Sequence, residues 1–338
     1  MDRKSIRIVS MVCTIFFCYC MCGCAQKKEY KLSVNLSKET AWGKGAGRFA
    51  ELAYERSGGE INIKPYYGMV LAAGDQMREI LLLQSGGIDF SLNSTINYTP
   101  AIPELNVFAL PFLFPDVSAV DRAVSGEGGK MIEERIAAHN MVVLGWGENG
   151  FRELTNRLRP VKVPRDLAGM KVRVCVPIYI DIFKSLKADP TAMVWAEALT
   201  AFRKGVVDAE ENPVVGVIVP YEIADYHKYL TLWHYSYDAL LLSCNKDTWD
   251  HFTPKEQALL RECAREAMAY QKQLARAGLK DALRLIQDEK GAVITELSSE
   301  ERSLFQAHTR PIYEKYAEQI GWELVRAFES ASFGNQMK

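Results

Sequence analysis

Arg173 stands in the middle of an apolar run, Val172-Arg173-Val174-Cys175-Val176. A strand with that pattern is buried, and a buried arginine is rarely left unpaired. The planar fork of its guanidinium suits a carboxylate held by two parallel hydrogen bonds. The residues leave two partners open: the carboxylate of a ligand, or an acid of the fold itself, Asp166 or Glu210.

Other chemistry is harder to assemble. The chain has no H-E-x-x-H, no G-x-S-x-G and no Walker loop. His139, His227, His234, His251 and His308 are scattered; His227 and His234 lie near Asp225, but no further ligand follows, so no metal site is predicted. Gly43-Lys44-Gly45-Ala46-Gly47 follows a strand and opens a helix. A dinucleotide fingerprint would need its third glycine where Arg48 stands, and an acid at the end of the next strand. No cofactor is therefore predicted. Outside the N-terminal segment the cysteines are Cys175, Cys244 and Cys263, widely spaced and without a C-x-x-C pair, which reads as free thiols.

The N-terminal segment is an address. Arg3, Lys4 and Arg7 form a basic start, and Ile8 to Cys22 is mostly apolar and uncharged. The run is short for a membrane span of about 20 residues and fits a secretory signal. It ends in Met21-Cys22-Gly23-Cys24, where a small residue precedes a cysteine as in a bacterial lipobox. Cys24 is the expected lipidated residue, with Met21 a departure from the usual Leu; an uncleaved anchor is the alternative. Either way the body is exported and tethered to a membrane surface. With 41 basic against 42 acidic residues and a net charge of −1, no basic stripe points to nucleic acid.

The elements that must position Arg173 alternate. A strand from Tyr30, a helix over 42–56, a strand from Ile61, a helix from Gln76 and a strand from Ile88 give a βαβ rhythm and parallel pairing. Residues 117–139 read as helical, and Met141 to Trp146 as a strand. A second module starts near Gly150, with a strand at Lys171, helices over 178–186 and 196–204, and a very short strand at Val206-Val207-Asp208 before a loop opened by Asn212-Pro213. Leu230 to Asn245 reads as extended, and Pro254 to about Glu289 as strongly helical. Ser298 with Glu301 forms a capping-box signature for a last helical stretch, with a kink expected at Pro311.

The second module carries a connected set of motifs. Gly150-Phe151-Arg152-Glu153-Leu154-Thr155-Asn156 is followed by Pro164-Arg165-Asp166-Leu167-Ala168-Gly169-Met170-Lys171-Val172-Arg173-Val174, then by Gly205-Val206-Val207-Asp208-Ala209-Glu210-Glu211-Asn212-Pro213. With Ser57-Gly58-Gly59, Gln84 to Asp89 and Phe108 to Phe112, the set resembles the solute receptors of tripartite ATP-independent periplasmic (TRAP) transporters, the DctP-like family, over nearly all of the mature chain. The resemblance implies an α/β, two-lobe, periplasmic-binding-protein-like fold with a ligand cleft between the lobes and a long bracing helix. Lobe I is expected over 27–149 plus 239–278, and lobe II over 150–238 plus 279–325, after a signal peptide at 1–24.

The same resemblance places Arg173 on the arginine that clamps the ligand carboxylate, Arg152 on a supporting arginine and Asn212 on an asparagine that bonds the same carboxylate. For Arg152 a structural or hinge role, and for Asn212 a turn, stay open. Trp195 falls where the family puts an aromatic over the ligand. Asn35, Asp75, Asn93, Ser94 and Tyr237 are further expected site residues, each with ordinary packing or turn formation as its alternative. Departures from the family pattern include Cys175, Val176, Ala41-Trp42 and the run Asp208-Ala209-Glu210-Glu211 where relatives read Asp-Gly-Gln-Glu. Most favour an apolar pocket, so the expected ligand is a monocarboxylate with an apolar tail, not a sugar acid or a C4 dicarboxylate. The implied partners are that small organic acid and the two integral TRAP membrane subunits. A sensor for a signalling partner and an exported enzyme are the alternatives.

Overall fold

The computed structural model describes residues 28–334; Cys24 and the rest of the export segment lie outside them. Strand β1 (Glu29–Val34) enters helix α1 (Ala41–Arg56), which returns to β2 (Asn62–Tyr67); α2 (Gln76–Gln84) leads to β3 (Phe90–Ser94) and the short α3 (Thr95–Tyr98). β2 and β3 both pair parallel with β1, as the alternation predicts. Thr40 caps α1 by accepting from the Gly43 N–H. The glycine run at its start serves packing. A Cβ on Gly43 would sit 2.4 Å from the Ser37 carbonyl oxygen, and one on Gly45 2.8 Å from the Gln271 side chain.

Helices α4 (Val117–Ser125) and α5 (Glu127–Ala137) are two elements divided at Gly126, where one helical stretch is expected. The strand after them, β4 (Met141–Asn156), does not stop at Trp146 but runs sixteen residues. It continues into β5 (Lys171–Val174), α6 (Pro177–Ser185), β6 (Asp189–Ala192), α7 (Trp195–Lys204) and β7 (Ala209–Asn212). The strand expected at Val206 thus begins at Ala209, and after Pro213 the chain forms a π-helical turn, Val214–Ile218, in place of a loop. β8 (Tyr229–Asn245) follows, then α8 (Lys246–Asp250), α9 (Pro254–Ala277), α10 (Leu279–Arg284), β9 (Val293–Glu296), α11 (Ser299–Ile320) and α12 (Trp322–Phe333). The Ser298–Glu301 capping box is present. The last helical stretch breaks at Gly321, with φ of 98°, while α11 passes through Pro311.

Among the described residues nine strands form one sheet in the order β2-β1-β3-β8-β4-β7-β5-β6, with β9 on β8. The two lobes share its central pair: β4 and β8 run antiparallel from Met141 opposite Asn245 to Asn156 opposite Tyr229. Three register shifts interrupt that pair; bulges of this kind bend and twist a strand. α9 lies along α1 and β4. Its buried face, Leu260, Cys263, Ala264, Ala267 and Met268, joins Trp42, Phe49 and Phe90 in one core. A larger core runs from Ile80 through Phe108, Ile132 and Phe183 to Phe328. A third gathers Phe202, Ile218, Leu230 and Ile286 around α7 and β9. Cys175, Cys244 and Cys263 are free thiols. No described helix is long and apolar enough to cross a membrane.

Candidate functional site

The carboxyl ends of β1, β3, β5 and β7 converge on a small cavity between the β1–β3 and β5–β7 halves of the sheet. About 40 Å³ of it is open to the centres of water-sized atoms. Open α/β sheets place ligands at such strand ends. Arg173 and Cys175 arrive from the end of β5, Asn212 from the end of β7, Trp195 from the start of α7, and Asn149, Arg152 and Asp238 from the shared strands. The opposite wall brings Asn35 after β1, Trp42 on α1, Gln76 at the start of α2, Ser94 at the end of β3 and Asn97 on α3.

The two arginines differ in what they already hold. Arg152 is 3% exposed and is consumed by the fold. It forms ion pairs with Glu211 and, at 2.7 Å, with Asp238, and also donates to the Glu211 carbonyl and to Asn212 Oδ1. Burial works against its charge, and Glu211 foremost holds it charged. Arg173 is 2% exposed. Its Nε and Nη2 both donate to the Met193 carbonyl, at 3.2 and 2.8 Å, and its guanidinium lies 5.4 Å over the Trp195 ring. Among the described residues it has no ion pair, with Asp166, Glu210 or any other acid. Asp166 is occupied elsewhere, accepting from the N–H groups of Lys162 and Val163. The structure therefore removes the internal salt bridge that the sequence left open for Arg173.

The remaining wall is polar. Asp238 accepts from Arg152, from Asn149 Nδ2 at 2.8 Å and from the Ser94 hydroxyl; burial pushes its carboxyl up from the ordinary aspartate range, against the pull of Arg152. Trp42 Nε1 donates to Asn149 Oδ1 at 3.0 Å. Gln76 Nε2 donates to Asn97 Oδ1 at 2.8 Å. Asn35 Nδ2 donates to Asn93 Oδ1, while Asn35 Oδ1 is buried without a partner. Burial pushes the Cys175 thiol up to about 11, so it stands in the wall as a neutral group and not as a nucleophile.

Six of the expected residues thus meet at the cavity: Arg173, Arg152, Asn212, Trp195, Asn35 and Ser94. Three do not line it. Asp75 caps α2, its Oδ1 accepting from the N–H groups of Met77 and Arg78. Asn93 lies behind the wall, where its Oδ1 accepts from Asn35, the Ser94 N–H and Asn97 and so orients residues that do line it. Tyr237 is 1% exposed and points to the other face of β8, edge-on to Phe114 and Phe151. Successive side chains of a strand face opposite ways, so the neighbour Asp238 reaches the cavity. Asp238, Asn149, Gln76 and Asn97 were not signalled by any motif.

Residues 32–319 match the family described as bacterial extracellular solute-binding protein, family 7. The 2,3-diketo-L-gulonate-binding periplasmic protein of Escherichia coli (strain K12) is 31% identical over 261 residues, 77% of this chain and 78% of that one. Among solved structures, a TRAP periplasmic solute-binding protein from Ralstonia eutropha H16 with bound (S)-2-acetolactate is 40% identical. It covers 90% of this chain and 98% of its own, with a TM-score of 0.86. One from Sulfurospirillum deleyianum with bound succinate is 25% identical, covering 90% and 99%, with a TM-score of 0.83. The chain belongs to family 7 of the bacterial extracellular solute-binding proteins, the organic-acid receptors that work with the membrane permease subunits of TRAP transporters.

Proposed function

We propose that this receptor binds a short monocarboxylate bearing a hydroxyl or oxo group beside a small apolar branch, and delivers it to its permease. The carrying observation is Arg173: of the two arginines in the cavity wall, it alone is not neutralised by an acid of the fold. Its free Nη1 edge and Asn212 would take the carboxylate, with Trp195 packed beside the guanidinium. A second carboxylate at the far wall would face Asp238, and like charges in a buried site repel strongly. A hydroxyl there would instead meet acceptors in Asp238 and Asn35 Oδ1. A wholly apolar tail would leave Asn35, Gln76, Asn97 and Asn149 facing hydrocarbon, which refines the tail expected from the sequence. The small volume favours an acid of a few carbons over a sugar acid, and the bound acetolactate of the Ralstonia eutropha relative has this chemistry.

Calorimetric titration with (S)-2-acetolactate, 2-oxoisovalerate, hexanoate, succinate and glucuronate tests the proposal. Binding is expected for the first two, at least about 30-fold tighter than for succinate, the equivalent of about 2 kcal/mol. Tighter binding of succinate, glucuronate or hexanoate would sink it. We further propose that Cys24 carries the lipid, on the strength of the basic start, apolar run and Gly23-Cys24 pair. The Cys24→Ser receptor is expected in the soluble fraction or still bearing its signal, with mass spectrometry showing no acyl chain; an acylated C24S protein would refute the assignment.

A further inference from the structure

The cavity and the layer of side chains behind it hold three buried carboxyls, Glu210, Glu211 and Asp238, and two buried guanidiniums, Arg152 and Arg173. Fully ionised, this group carries a net charge of −1. An incoming carboxylate makes it −2, out of water, where a carboxyl takes up a proton more readily than it stays charged.

The hydrogen bonds single out which one. Glu211 faces Arg152 on two oxygens and accepts from the Tyr235 hydroxyl at 2.7 Å. Asp238 has Arg152, Asn149 and Ser94. Glu210 has only neutral donors: Asn212 Nδ2 and, at 3.2 Å, the Thr155 hydroxyl. It sits in register with Arg173 across β5 and β7, but Arg173 turns its guanidinium to the Met193 carbonyl. A carboxylate on Arg173 would use up the one cation near Glu210 that no acid holds.

Relying on the carboxylate-binding reading above, we propose that the receptor binds its organic acid together with a proton, and that Glu210 is the proton's site. From every side the neighbours can serve it. The charged groups facing Glu210 are Arg152 from β4, Arg173 from β5 and Glu211 from β7. Beyond Thr155 lies His227, whose Nδ1 is 2.9 Å from the Thr155 hydroxyl and whose own charged neighbours are Arg157 and Asp208. Burial holds His227 down to about 4, so its ring is neutral and Nδ1 can accept. A protonated Glu210 then donates to Thr155 Oγ1, and Thr155 donates to His227 Nδ1. Burial has already pushed the Glu210 carboxyl up to about 7 in the empty site, so a modest further rise on binding captures a proton near neutrality.

The test is calorimetry of (S)-2-acetolactate binding to the full receptor in phosphate and in Tris, whose ionisation heats differ, from pH 6 to 9. The expected result is net proton uptake greatest between about pH 7 and 8, with affinity falling by up to about tenfold per pH unit above pH 7. Glu210→Gln should lose both the uptake and the pH dependence. Binding by the wild type with no net uptake and a flat affinity would overturn the proposal, whether or not the variant folds. So would unchanged uptake in E210Q. Absence of any binding heat would instead sink the carboxylate reading on which it rests.

Discussion

At the scale of single residues, Arg152 and Arg173 show how two buried cations of one cavity take different work. Arg152 binds two buried carboxylates, so its removal leaves Glu211 and Asp238 charged and unpaired. Breaking a buried pair in this way costs about 3–5 kcal/mol. Arg173 is hydrogen-bonded to one carbonyl oxygen, so its truncation costs the fold about 1 kcal/mol but, on the function proposed above, removes the group that meets the ligand. The two alanine variants should therefore separate. R152A should melt roughly 5–10 °C lower, while R173A should melt near the wild type yet bind acetolactate at least about 30-fold more weakly. Thermal melts and titrations of both would check this; an R173A protein that loses stability and keeps affinity would reverse the assignment. Arg173 was legible in the sequence because an arginine in an apolar strand has to be explained. Arg152 was legible only as a motif position, since its partners Glu211 and Asp238 come from strands 59 and 86 residues away.

At the scale of elements, local pattern carried the βαβ half and the Ser298–Glu301 capping box, and failed where long-range pairing decides. The alternation from Tyr30 to Phe90 was readable because each strand and helix is complete in a short window. β4 was not: its register shifts at Gly145 and Gly150 break the alternation that would have marked it as one strand. The largest irregularity lies opposite Glu153, where Arg152 pairs with Ser236 but Leu154 with Thr231. Glu153 fills that gap with its carboxylate, which accepts from the backbone N–H groups of Trp233 and His234, the latter in a left-handed conformation with φ of 52°. Nothing local to Glu153 announces a partner about 80 residues on. The same effect hid part of the site. Tyr237 and Asp238 are adjacent, and only the registered sheet decides that the tyrosine packs on Phe151 and the aspartate faces the cavity. Asp75 is an expected site residue with a turn role as its alternative, and the structure places it at the cap of α2. Its carboxylate is used up on the N–H groups of α2, as that position of a helix favours, and Gln76 beside it supplies the wall.

For the whole molecule, the two lobes bury titratable groups away from the cavity as well as around it, and their opposed shifts shape stability against pH. Glu79, on α2, is 1% exposed; its carboxyl accepts from the Ser91 hydroxyl at 3.2 Å, and burial pushes it up to about 7 from 4.5. Its raised value means that the fold binds this proton more tightly than the unfolded chain does. Its contribution is complete below about pH 4.5 and is lost as pH rises toward 7. His227 runs the other way: lowered from 6.5 to about 4, it adds stability above 6.5 that is lost as pH falls toward 4. Well above pH 6.5 the imidazole is neutral in both states and drops out of the slope. Glu79→Gln keeps a neutral side chain of the same shape at every pH. It should therefore be more stable than the wild type at pH 8, by up to about 3 kcal/mol for a shift of this size, with the gap closing by about pH 4.5. Denaturant titrations of both proteins at half-unit steps from pH 4.5 to 8 would show it. A gap that stays constant across that range would mean that Glu79 is charged in the fold throughout, and that the Ser91 hydroxyl solvates it better than its burial implies.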